Sequence, residues 1–223
     1  MADHGFTEKS FAFFEELAEN NNKEWFHDHK PDFQTYVEEP FLDLLEALTE
    51  RLEDADVPLR GNPKTKFRMN RDVRFSEDKS PYKTSIAAVL TPSGTKQESG
   101  GLLYVHMDAN GGFTGTGWHN LAPKALKPFR AAMVEDAEGF DKVRKSLSDA
   151  DRQFANDNSL TAMPRGFEDY DDHRHAEAIK LKSILISEDL PKVAFTSGDV
   201  VERVEKLARD AMLFLSWGRT VSP

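Results

Sequence analysis

Phe11, Phe14, Leu17 and Ala18 recur at helical spacing behind Phe6 and Thr7. Thr7 is placed to cap that helix, with Phe6 before it and Phe11 after it as the two halves of a hydrophobic staple. The run Asn20-Asn21-Asn22 predicts its end, because asparagine tolerates left-handed backbone and can also cap a second helix starting near Lys23. Pro31 suits the first turn of a third helix carrying Phe33, Tyr36 and Val37. Pro40 should break or kink that helix, and Phe41, Leu44, Leu45, Leu48 and Leu52 continue the apolar stripe.

From Lys64 the period changes to two. Phe67, Met69, Val73 and Phe75 fall on one face of an expected strand and Lys66, Arg68, Asn70, Asp72 and Arg74 on the other, with Arg71 alone breaking the alternation. Further strands are expected at Thr84 to Thr91, Leu102 to Met107 and Gly112 to Trp118, separated by turn-rich Pro92-Ser93-Gly94 and Asp108-Ala109-Asn110-Gly111. Links this short favour antiparallel neighbours, since a parallel connection needs a crossover of about a dozen residues or more. Helical spacing returns at Leu126, Phe129, Arg130 and Met133, and again at Phe140, Val143 and Leu147; a short strand is expected at Ser183 to Ser187. A last helix, capped by Thr196 or Ser197, runs through Val200, Val204, Leu207, Ala211 and Leu215. With no repeat, low-complexity tract or Gly/Ser linker, the pattern predicts one α+β domain over 1–223, an antiparallel meander packed with N-terminal and C-terminal helices.

Composition narrows the function classes. The 223 residues include no cysteine, which excludes thiol catalysis, a disulfide scaffold and an iron-sulfur cluster and makes cytoplasm the expected setting. No apolar run reaches the roughly 18 to 20 residues of a membrane span, and Met1-Ala-Asp-His-Gly lacks the features of a secretory signal. The net charge of −10 disfavours a generic nucleic-acid partner.

That charge is unevenly spread. Arg60 to Lys83 holds eight basic and three acidic residues, a local +5 that leaves −15 for the rest of the chain. Arginines along a strand suit bidentate capture of carboxylate or phosphate oxygens. Arg68, Arg71, Asp72, Arg74, Lys79 and Lys83 are therefore candidate ligand-binding residues, and the expected ligand is a small anion such as a phosphate-bearing molecule. The alternative is a non-catalytic interaction or scaffold domain in which these cations pair with the chain's own carboxylates. Arg71, facing apolar neighbours on the strand reading, needs an acidic partner, with Glu24 or Glu98 as candidates.

The string from Arg68 to Lys83, R-x-x-R-D-x-R-F-x-x-D-K-x-x-Y followed by lysine, resembles the signature of the conserved hypothetical family built on domain of unknown function 2461. The resemblance extends to the Asn20 to Phe26 block, to Tyr104-Val105-His106 before the Gly111 to Trp118 segment, and to Pro164-Arg165-Gly166-Phe167. It implies an α+β domain in which Arg68, Arg71, Asp72, Arg74, Phe75, Asp78, Lys79 and Tyr82 fall on the family's motif. No substrate, reaction, metal or cofactor comes with it.

Candidate chemistry follows from the residues themselves. The turn Phe75 to Pro81 offers Asp78 as a general base, or as a cap on its own turn, and Tyr82 as a group that orients a ligand hydroxyl or phosphate. His106 is a candidate base or a hydrogen-bonded sheet residue. A triad of Ser76, His106 and Asp78 can be written on paper without a nucleophile-elbow motif to support it. His27 with His29 and His173 with His175 fall short of the three or four ligands from separate places that a metal site needs, so no metal or cofactor is expected. The glycines from Gly111 to Gly117 lack the lysine of a phosphate loop and suit a close approach of backbone to a neighbour or to a ligand beside Trp118. Trp25, Phe67, Phe75, Tyr82 and Trp118, near cations, could stack bases, which keeps single-stranded nucleic acid as a minority reading.

Overall fold

The computed structural model describes residues 5–221 apart from Phe75 and Ser99, so the expected place of Phe75 on a strand lies outside the described residues. Helix α1 (Glu8–Glu19) begins as the staple predicts, with Phe6 and Phe11 both buried against Phe195. It ends at Asn20, and the Asn22 side chain accepts from the Trp25 N–H at 2.9 Å to start α2 (Lys23–Asp28). At Pro40 the third helix is interrupted without ending. Between α3 (Lys30–Phe33) and α4 (Glu39–Arg51), residues Gln34–Glu38 widen into a π-helical turn. The wider turn bonds one residue further back and so absorbs both the missing N–H and the ring of the proline.

The sheet is a four-stranded antiparallel meander in the order β1 (Ser85–Leu90), β2 (Leu102–Asp108), β3 (Gly111–Trp118), β4 (Ile184–Pro191). Between β3 and β4 the chain passes through α5 (Pro123–Glu135), α6 (Ala137–Asp149) and α7 (Ala176–Lys180). It closes with α8 (Lys192–Thr196), α9 (Val200–Asp210) and α10 (Met212–Val221). The expected single final helix is thus interrupted at Ala211, and its stripe starts from Asp199 rather than from Thr196 or Ser197. No helix among the described residues is long and apolar enough to cross a membrane.

The expected strand from Lys64 to Phe75 is not a regular strand. The segment runs beside β1 with only isolated bridges at Arg60–Thr91, Lys66–Ala88 and Asn70–Tyr82. Its alternation reports burial of Thr65 and Met69, while the ladder that defines a strand is broken.

Strand alternation divides the sheet into two unlike faces. Ile86, Ala88, Leu103, Val105, Met107, Trp118, Ile184 and Ile186 are buried within one contiguous cluster, against which α8, α9 and α10 pack. Trp118 belongs to this covered face, 3% exposed, so it is no stacking surface. Gly218 of α10 makes room for it, since a β-carbon there would overlap the indole. On the opposite face the register sets Val89 opposite Tyr104, His106 opposite Phe113, Tyr104 opposite Gly115, and Gly115 opposite Ser187. On this face Phe113 remains 39% exposed.

Candidate functional site

The motif is a hairpin-like excursion between the broken edge segment and β1. Arg71 N–H donates to Pro81 O at 2.9 Å and Lys83 N–H to Met69 O at 2.8 Å, closing its base. Asn21 holds the base from the side: its Oδ1 accepts from Tyr82 N–H at 3.1 Å and its Nδ2 donates to Tyr82 O at 2.9 Å. The Tyr82 ring stacks on Phe26, 4.1 Å between centroids. Tyr82 therefore anchors the hairpin to α2, and Asn21, which the sequence offered only as a helix stop, is its clamp.

At the hairpin tip the charges satisfy one another. Arg71 is not buried among apolar side chains; its side chain is 29% exposed, and its partner is Asp78 of the same loop rather than Glu24 or Glu98. Glu98 instead accepts from Arg219 at 3.2 Å and from Ser93 N–H at 2.7 Å. Arg74 forks onto Asp72 at 2.9 and 2.6 Å, and the Lys79 ammonium donates to Val73 O at 3.0 Å. The Ser80 hydroxyl and amide, then the Arg71 guanidinium, hold the Asp78 carboxyl well below the usual carboxylate range. A carboxylate so stabilised is a weak proton acceptor.

The other cations of the segment are arranged differently. The Lys83 and Lys96 ammonium groups lie 5.5 and 5.6 Å from the centroid of Phe67. Burial, followed by the like charges of Arg68 and Lys96, lowers the pKa of Lys83. Among the described residues no carboxylate forms an ion pair with Arg68, Lys83 or Lys96, whereas Lys66 is paired with Glu38 at 2.9 Å. Lys96, in the β1–β2 loop and held by a bond to Lys66 O at 2.9 Å, joins this cluster from outside the basic segment, which is why a count along the chain misses it.

His106 lies on the same open face. Its Nδ1 is 3.3 Å from the Tyr104 hydroxyl and its Nε2 3.4 Å from Asp108 Oδ2, with the ring stacked on Phe113 at 4.8 Å. Burial lowers its pKa, the Asp108 carboxylate works the other way, and Lys83 adds to the lowering. Burial raises the pKa of Tyr104, so both rings are neutral at pH 7. The consistent proton order is Tyr104 O–H donating to Nδ1 and Nε2–H donating to Asp108. Because Asp78 and Ser80 are engaged with each other and His106 with Tyr104 and Asp108, no Ser76–His106–Asp78 triad assembles.

Two hollows border these groups. One, of about 360 Å³, is lined by Ala18, Asn21, Arg71, Asp78, Tyr82 and Lys83 among others. The second, of about 330 Å³, lies on the open sheet face between Leu102, Tyr104, Phe113, Gly115, Gly117 and Leu185, with His119 and Ser187 at its edge. Other described histidines sit elsewhere. His29 stacks on Trp25 at 4.1 Å, and His175 is buried beside His173, its Nε2 3.0 Å from Ala137 O.

A sequence model of a conserved hypothetical protein family, DUF2461, matches residues 9–217. No curated protein matches the chain.

Proposed function

We propose, on the premise that this chain belongs to the conserved hypothetical protein family DUF2461, that it binds a small anionic ligand, phosphate-bearing in the simplest case, at Arg68, Lys83 and Lys96. The observation that carries this reading is that Lys83 and Lys96 sit over Phe67, with Arg68 close enough to Lys83 to lower its pKa, and that among the described residues none of the three forms an ion pair, although the charge of Arg68 reaches Asp72, in a chain with 39 acidic side chains. Leaving like charges together is unfavourable unless an anion joins them, and an arginine fork beside two ammonium groups suits phosphate oxygens. His106, held between Tyr104 and Asp108, stands close enough to Lys83 to feel its charge, so the ring adjoins the anion site. Arg71, Asp72, Arg74, Asp78 and Lys79 then act as the framework of the hairpin rather than as ligand contacts. The cysteine-free composition supports a cytoplasmic setting for such a binder.

The reading of a scaffold without a ligand is favoured by a specific observation too, the Arg71–Asp78 and Arg74–Asp72 pairs at the hairpin tip. Calorimetric titration of inorganic phosphate into the full chain separates the two. Binding that weakens at least tenfold in Lys83→Met and in Arg68→Ser, but holds in Arg74→Ala, is the expected result. Absence of phosphate binding leaves the scaffold reading, and equal weakening by Arg74→Ala would move the anion site to the hairpin tip.

A further inference from the structure

The cations stand one aromatic ring away from the apolar hollow. Phe67, over which Lys83 and Lys96 sit, lies 6.3 Å from Tyr104, and Tyr104 packs against Phe113, 5.5 Å between centroids, both rings lining the hollow. Gly115 faces Tyr104 in the register, and with no side chain at that position the floor stays low beside the two rings. Gly117 continues the floor beside Leu102 and Leu185. The result is a flat apolar recess flanked by aromatic side chains, with positive charge at one end.

We propose that this recess is the ring subsite of the anion site, so that the ligand is a flat aromatic ring carrying a phosphate group, for which a nucleoside monophosphate is the simplest example. The inference rests on the anion-binding reading and adds the ligand's second half. Tyr104 and Phe113 present π-faces on which a heteroaromatic ring stacks, and the recess volume of about 330 Å³ is at the small end of ligand pockets. The Ser187 side chain and His119, at the edge of the recess, are placed to meet polar atoms on the ring's rim. Charge complementarity limits the occupant to one anionic group. Asp108, beside His106, and the exposed Asp189, across from Phe113, lie on the same face. A continuing phosphodiester backbone would run into those carboxylates, so the surface favours a mononucleotide over a strand.

Binding of adenosine monophosphate, inorganic phosphate, adenosine and an octathymidylate to the full chain, each by calorimetry, tests this. Adenosine monophosphate should bind at least tenfold tighter than phosphate. Phe113→Ala, on an exposed side chain that folding does not need, should bring adenosine monophosphate down to the affinity of phosphate while leaving phosphate unchanged. Lys83→Met should weaken both ligands. Equal affinities for adenosine monophosphate and phosphate in the unmodified chain overturn the ring subsite and leave the anion site standing. Adenosine binding that Phe113→Ala abolishes, with no phosphate binding and no effect of Lys83→Met, overturns the anion site instead. An octathymidylate that binds tighter than the mononucleotide overturns the single-anion ligand in favour of a nucleic-acid strand.

Discussion

Asn21 satisfies both peptide groups of Tyr82 with one side chain, a two-point match that no apolar or charged residue reproduces. Asn21→Ala leaves a donor and an acceptor half-buried without those partners, and the expected loss is about 1–3 kcal/mol in denaturant unfolding. Asn21→Asp keeps the acceptor alone and should fall between the two. Arg130 is a second such residue. It looked like one more member of a helical stripe, yet it is 6% exposed, with Nε donating to Ile179 O at 2.8 Å and a terminal nitrogen to Leu181 O at 3.2 Å. It closes the carbonyl end of α7, as a cation at a helix C-terminus should. Arg130→Met fills the same space but leaves those carbonyls without their charged donor, so a loss of about 2–3 kcal/mol is expected. Periodicity locates such residues on the inner side of an element but says nothing of the carbonyls they meet some fifty positions away.

At the level of elements, the sequence was most legible where burial and hydrogen bonding share a period. Strands β1 to β3 and the α1 staple lie where the alternation and the turn residues put them, while β4 (Ile184–Pro191) runs four residues past the expected end at Ser187. The edge segment from Lys64 was misread because alternation records which side chains are buried, and Thr65 and Met69 are, whereas the neighbouring backbone engages β1 only at isolated bridges. At Pro40 the sequence marked the place of an interruption but not its form, since a proline's effect depends on whether the preceding turn can widen. The motif's chemistry was legible in kind but not in partition: the residue list cannot tell that Asp72 and Asp78 turn back onto Arg74 and Arg71 while Arg68 and Lys83 do not. A local consequence follows. In Asp78→Ala the Ser80 amide and the Arg71 guanidinium lose their acceptor, so backbone exchange should speed up over 71–83 and stay unchanged in β2 and β3. Hydrogen–deuterium exchange reads both regions in one experiment, and equal acceleration in the strands would show that the hairpin is part of the global cooperative unit.

For the whole molecule, stability should fall with acid in two steps, because two kinds of group are held away from their ordinary pKa values. His106 and His175 are lowered from 6.5, chiefly by burial, against the opposing pull of Asp108 on the first and of Ala137 O and Asp141 on the second. Arg144 and His173 add to the lowering at His175. The unfolded chain therefore takes up protons at these histidines before the folded chain does, and stability declines as the pH drops below about 6.5. Glu188 and Glu205 form the second group. Burial pushes each up, but the Arg152 and Arg203 hydrogen bonds at Glu188, and those of Arg51 and Arg209 at Glu205, leave both below 4.5. Their contribution is complete above that value and is lost as the pH falls through the lower folded pKa. Glu188 is the more consequential, because it lies at the covered face of β4 and ties Arg152, at 2.6 Å, and Arg203, at 2.7 Å, to the sheet, while Arg152 also reaches Asp210 of α9 at 3.0 Å. Melting temperature followed from pH 7.5 downward should bend first near 6.5 and again below 4.5. His175→Asn removes one titrating ring and should flatten the first decline without moving the second; Glu188→Gln should do the reverse. An unchanged slope above pH 5 in His175→Asn would mean that the buried ring takes up its proton as readily in the folded chain as in the unfolded one.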